Sequence, residues 1–254
     1  MSQTRRDASL HSLRKKNSSV ASLENAIRLP KSLPNIGELQ LSQQEQKLVG
    51  WSHERNLFDD LDASRVDNEV RDRVAPTMAL TLHHGVGWYG IGAWRQAEDY
   101  FRVTIWLAIL ANDAPSAVEA GCYLAEMYLA ADDYKSAFHL SSQLQPVARS
   151  AGDWVAFRTI STLLFLCAMR NNRSHFVRAE NRNLRKLSKQ VNTPVDLGVL
   201  DDRIFQRWVD VLMFCGDRLR LAQLKTEWQA LVHNLNSSER FSLRRVQFNA
   251  PQTV

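Results

Sequence analysis

The sequence is short of the residues that build covalent or metal-held frameworks. Only three cysteines occur in 254 residues, Cys122, Cys167 and Cys215, far apart and in apolar surroundings, with no C-x-x-C pair. That usage argues against a disulfide scaffold or zinc ribbon and points to reduced core thiols in a cytoplasmic protein. Long apolar runs are missing as well. The longest, Val103 to Ala111 and Leu163 to Met169, fall well short of the roughly 20 residues that cross a bilayer, so no membrane span is expected. No secretory apolar stretch opens the sequence. Nor is there a G-x-S-x-G, an H-E-x-x-H or a lysine-bearing phosphate loop, so no catalytic residue, cofactor or metal is expected. His83 and His84 are neighbours, which points them to different sides of a helix, and no carboxylate or cysteine stands at metal spacing from either.

What charge there is sits unevenly. Residues 1–34 hold seven basic groups against Asp7 and Glu24, which accounts for the whole net charge of +5, and the remainder is neutral. This tail has no aromatic residue and closes on "LPKSLP", the composition of a disordered segment at 1–36. Its basic cluster suits a binding arm, a targeting signal for nucleus or mitochondrion, or a plain solubilising tail. From 37 to 75 the sequence reads as short helices or a linker, with Ser42 and Glu45 as a capping box ahead of Leu48, Val49 and Trp51.

From 76 to 235 an internal repeat emerges. Trp94 with Ala97, Tyr134 with Ala137, Phe176 with Ala179 and Leu219 with Ala222 each set a large residue three positions before an alanine, and the alanines are spaced by 40, 42 and 43 residues. Each pair opens an amphipathic helical stretch, after a short polar or glycine break and a preceding apolar stretch. The unit is helix, tight turn, helix, four times over. A small side chain lets two helices approach where they cross, and the large one a turn earlier fills the space beside it. Pro76, Pro115 and Pro194 are expected at the fronts of first helices, with Asp153 as a cap in the third unit. Pro146 is expected to end or kink the helix that contains it.

This pattern resembles the tetratricopeptide repeat family in a long-period form of about 40 residues per unit. Gly85, Trp88, Trp94, Ala97 and Phe101 match in the first unit, and Leu124, Ala125, Tyr128, Tyr134 and Ala137 in the second. The last two units keep only the second-helix pair, with Cys167 and Asp210 where a small residue belongs. The resemblance implies an all-α solenoid of four antiparallel helix hairpins that binds another protein: an adaptor, scaffold or regulatory subunit. The groove such a stack offers would include Glu119, Tyr123 and Glu126 from the second unit, and Asp202, Gln206 and Asp210 from the fourth. Its terminal units would expose apolar faces, which residues 37–73 or a second copy in a homodimer would cover.

"GVGWYG", Gly85 to Gly90, also spells the G-x-G-x-x-G of a dinucleotide-binding loop. That loop joins a strand to a helix, and strand and helix must then alternate. The unbroken amphipathic stretch from Trp94 to Ala111 denies it the second strand, so the glycines are expected at the helix contact (Gly85) and the turn (Gly90, Gly92).

Two surfaces stand out. Arg178, Arg182, Arg185 and Lys189 recur at helical spacing, in a stretch from Arg170 to Lys189 with seven basic residues and only Glu180 against them. Such a face suits an acidic or phosphorylated protein segment or, in a second reading, nucleic acid within a transcription complex. In the tail expected at 236–254, Arg245, Val246 and Phe248 fit the R-V-x-F peptide that docks on type 1 phosphatase by adding a strand.

Overall fold

The computed structural model describes Leu39, residues 41–43, Gln46 and residues 68–247. Among the described residues it is all-helical: α1 (Asn68–Gly90), α2 (Trp94–Leu110), α3 (Ala114–Ala130), α4 (Tyr134–Ala151), α5 (Trp154–Arg170), α6 (Ser174–Gln190), α7 (Asp202–Phe214) and α8 (Arg218–Gln247). No helix of the described residues is long and apolar enough to cross a membrane. The capping box of Ser42 and Glu45 falls partly outside the described residues.

The helix boundaries come from one local device used repeatedly. A residue with left-handed backbone closes a helix, and its neighbour caps the next one. Asn112 (φ 51°), Asp132 (62°), Gly152 (72°) and Gly216 (69°) close α2, α3, α4 and α7. Asp113, Asp133, Asp153 and Asp217 then accept from the amides of Ser116 (3.4 Å), Ser136 (3.1 Å), Ala156 (2.9 Å) and Arg220 (3.0 Å). Each of these aspartates also sends its own amide back to a carbonyl five residues earlier, at 2.8–3.0 Å, so the helix ends are satisfied within the turn. Gly92 and Asn172 (φ 75° and 55°) make the same turns before Ala93 and Arg173 without a capping side chain.

Helices α1 to α5 pack in sequence order, each on the last, with α3 also against α1 and α5. Ala97 and Ala137 are wholly buried at these crossings. Gly85 faces Phe101 so closely that a Cβ would lie 2.7 Å from the ring, and Gly121 faces Leu144 at 2.6 Å in the same way. Both glycines therefore act by bringing helices together. Tyr100, Phe101, Ile105, Leu107, Leu124, Leu144, Ile160 and Phe165 fill the interior.

The fourth pair departs from the pattern. Between α6 and α7 runs a long connection, 191–201, which contains Pro194, so that proline does not stand at a helix front. Helix α7 packs against α1 and α8, and α8 packs against α5 and α6. The large-then-alanine pair is exposed here: both Leu219 and Ala222 face solvent. Pro76 also differs from expectation: it lies inside α1, which starts at Asn68. Pro146 lies inside α4, as expected, but does not end it, since the helix runs on to Ala151. Pro115 does occupy the first turn of α3. Helix α8 continues to Gln247, into the stretch expected as a tail from 236.

Candidate partner-binding surfaces

Helix α6 carries its basic residues outward because its apolar residues are confined to one side. Val177 and Leu184 are buried, and Phe176 and Leu187 pack on the core. Arg178, Arg182 and Lys189 are exposed, as the spacing implies, but Arg185 is half-buried. Its aliphatic stem runs under the 191–201 connection, so close to Gly198 that a Cβ there would collide with Cγ. Lys186 is exposed instead, so the open cationic stripe reads Arg178, Arg182, Lys186, Lys189, with exposed His175 at its start. The spacing put Arg185 on this face, and the structure puts Lys186 there instead because the long connection covers Arg185. No ion pair among the described residues engages Arg178, Arg182, Lys186 or Lys189.

Of the residues expected to line a groove, one is buried within the fold. Of its α3 residues, Glu119 is exposed, Tyr123 half-buried and Glu126 wholly buried. Glu126 forms an ion pair with Arg207 of α7, whose Nε donates at 3.4 Å, and it accepts from the Tyr89 hydroxyl of α1 at 2.9 Å. The Arg207 guanidinium also sits 5.1 Å from the Tyr123 ring centre, and Tyr123 stacks on Phe101 at 5.1 Å. Burial pushes the Glu126 carboxyl up, against the pull of Arg207. Burial and the Glu126 charge raise the Tyr89 hydroxyl far above the usual phenol range, which keeps it a donor. The α7 residues expected in the groove, Asp202, Gln206 and Asp210, face solvent, with Gln206 donating to Asp210 at 2.8 Å.

A second buried carboxylate fixes the start of α7. Asp201 accepts from the Arg203 side chain at 2.7 and 2.8 Å and from the Thr159 hydroxyl, while its own amide donates to Thr162 Oγ1 at 3.0 Å. Burial would raise its carboxyl, but Arg203 and Thr159 outweigh it and bring it down to about 2. Arg170, at the end of α5, ties the opposite side together through Asp132 (2.9 Å), Glu227 (3.1 Å) and the Leu129 carbonyl. Beside it a cleft of about 450 Å³ opens between α8 and the turn before α4, lined by Tyr134, Met169 and Thr226. Sequence reasoning missed Arg207, Arg170 and Tyr89, since nothing local marks a side chain whose partner lies 81, 57 or 37 residues away.

The glycine stretch Gly85–Gly90 lies within α1, with no strand before it among the described residues. His84 stacks on Tyr100 at 5.3 Å. Among the described residues, no three His, Cys, Asp or Glu side chains come together as a metal site would need. Arg245 and Val246 fall in the last turn of α8, while Phe248 lies outside the described residues.

The fold and these surfaces define an all-helical protein of successively packed helices, consistent with a helical repeat. No family model, curated protein or solved structure matches the chain.

Proposed function

We propose that this chain is a non-enzymatic protein-interaction module, an adaptor, scaffold or regulatory subunit built as a tetratricopeptide-like solenoid, that holds an acidic segment of a partner protein on α6. The observation that carries the reading is the open stripe of Arg178, Arg182, Lys186 and Lys189, exposed and without an ion pair among the described residues. Charges left unpaired on an exposed helix face attract and orient an oppositely charged partner. The repeated turn and the buried crossings at Ala97 and Ala137 support the solenoid reading. With α7 seated across Glu126, the groove adds only its exposed rim, Glu119, Asp202, Gln206 and Asp210, to such binding. Phosphatase docking through Arg245, Val246 and Phe248 requires an extended peptide, so the helical end of α8 would first have to unwind.

Capture of partners from nuclease-treated native lysate by the tagged full chain, with mass spectrometry of every co-purifying chain, tests the proposal. Arg178→Glu with Arg182→Glu is expected to abolish capture of a stoichiometric protein while leaving the melting temperature unchanged. Unchanged capture rejects the stripe. Recovery of nucleic acid alone, lost steeply with added salt, selects the nucleic-acid reading instead.

A further inference from the structure

The cleft of about 450 Å³ beside Arg170 has walls that are tied to one another. Arg170, at the end of α5, donates to Asp132 in the turn before α4 and to Glu227 of α8, at 2.9 and 3.1 Å, and Asn234 of α8 donates to the Met169 sulfur at 3.8 Å. Its volume falls within the roughly 300–1,000 Å³ of clefts that take a ligand. The apolar part of the lining is Tyr134 and Met169, both half-buried, with buried Leu166 and exposed Ala230. The charges beside the cleft divide into two groups. The acids are engaged, since Asp132 and Glu227 hold Arg170, and Asp133 caps α4 through the Ser136 amide. The bases are not. Lys135, Arg173 and Lys225 stand next in sequence to the lining residues Tyr134, Asn172 and Thr226, all three are exposed, and none has an ion pair among the described residues. The cleft also reaches the turn that leads into α6, because Asn172 lines it. From there to Arg178 the helix rises about 9 Å, which an extended chain covers in about three residues.

We infer that this cleft receives one large apolar side chain, of Phe or Leu size, from the acidic partner segment that α6 holds, and that the segment's carboxylates begin about three residues beyond that anchor. The inference rests on the reading of α6 as the site of an acidic segment, and adds the feature by which one such segment is told from another. Opposite charges act at a distance and favour any acidic chain. An apolar side chain that fills a cavity with fixed walls discriminates among them, because a smaller one leaves the cavity empty and a polar one is desolvated there. An acidic occupant is favoured over a basic one because the cations beside the cleft have no ion pair while its carboxylates are already taken.

Fluorescence anisotropy of labelled peptides with the full chain tests it. The first peptide carries a Phe, a short Gly–Ser spacer and a run of Glu; the second has Ala in place of the Phe, and the third has Lys in place of every Glu. The first is expected to bind about tenfold more tightly than the second, and the third not to bind. Added salt should weaken both acidic peptides while leaving the ratio between them in place. Ala230→Trp and, separately, Thr226→Trp, both at exposed positions of the lining, should fill the cleft and bring the first peptide down to the level of the second, with unchanged melting curves. Arg178→Glu with Arg182→Glu should remove the binding of both acidic peptides. Equal affinity of the first and second peptides, lost in the arginine variant, overturns the anchor and leaves the reading of α6 standing. No binding by either acidic peptide overturns both. A Phe-dependent affinity that survives the arginine variant, or a third peptide that binds as tightly as the first, also overturns the inference, since the cleft would then serve a ligand of its own.

Discussion

In the pairs α1–α2 and α3–α4 the alanine of the large-then-alanine signature is buried beside a half-buried Trp94 or Tyr134, and glycines opposite Phe101 and Leu144 draw the helices together. In α7–α8 the same signature faces solvent, and besides buried Ile204, Trp208, Leu224 and Trp228 the pair makes ionic and polar contacts that reach across the molecule: Arg207 to Glu126, Asp201 to Thr159 and Thr162, Glu227 to Arg170. The same few residues therefore play different parts according to whether another helix lies over them. A repeat signature fixes the helix hairpin, because that is local, but whether its outer face is covered depends on the next element. At the uncovered hairpin, long-range charge pairs add to the apolar packing of Ile204, Trp208, Leu224 and Trp228.

The comparison is broken most severely at Arg207. Arg207→Met leaves the Glu126 carboxylate buried without its cation, and a loss of about 3–5 kcal/mol is expected. Thermal melts would then shift down by roughly 10 °C. Combining it with Glu126→Leu should restore most of that stability, because the penalty belongs to the orphaned charge and not to the missing contact. A double variant as unstable as the single one would show that packing, not charge, seats α7.

Acid should act on the same pair of helices next. Asp201 falls to about 2 in the fold, below the ~3.9 of an unfolded aspartate. Its contribution, roughly 2–3 kcal/mol, is complete above pH ~4 and disappears as the pH falls toward 2. Urea unfolding between about pH 5 and 2 is expected to show this decline, flattened in Asp201→Asn, with amide exchange in α7 rising before exchange in α3. Equal loss of protection in both helices would remove the distinction between the two regions.

The smallest effects sharpen the contrast from the other side. Ala97→Leu or Gly121→Leu overfills a buried crossing and should cost about 1–3 kcal/mol. Ala222→Leu, the equivalent change in the fourth pair, is exposed and should stay within about 0.5 kcal/mol. Denaturation midpoints of the three variants would decide it.

The short-range part of the fold is legible in the sequence. Apolar periodicity and the breaks at "GIGA", "ADD" and "CGDR" locate the helices, since each turn is closed by an Asn, Asp or Gly and most are capped by the residue after it. Gly85 is readable as a helix contact for the same reason. Pro76 departs from its expected place, and Pro146 does not end its helix, because helical continuity on either side outweighs one missing amide each. The candidate surfaces are half legible. Three of four basic positions on α6 do face outward, but nothing near Gly198 in the sequence announces that it covers Arg185. Glu126 reads as a surface acid by spacing, and only the arrival of α7 makes it a buried one.

That arrival has a consequence for how the chain reaches its native state. Helices α1 to α5 meet through contacts close in sequence, so they can assemble early and fast. The Glu126–Arg207 pair closes a loop of 81 residues, and until α7 has docked the Glu126 carboxylate has no guanidinium beside it. During synthesis the ribosome must release everything through α7 before that closure, so the nascent protein passes through a stage in which α1 to α5 are formed and Glu126 still lacks its partner.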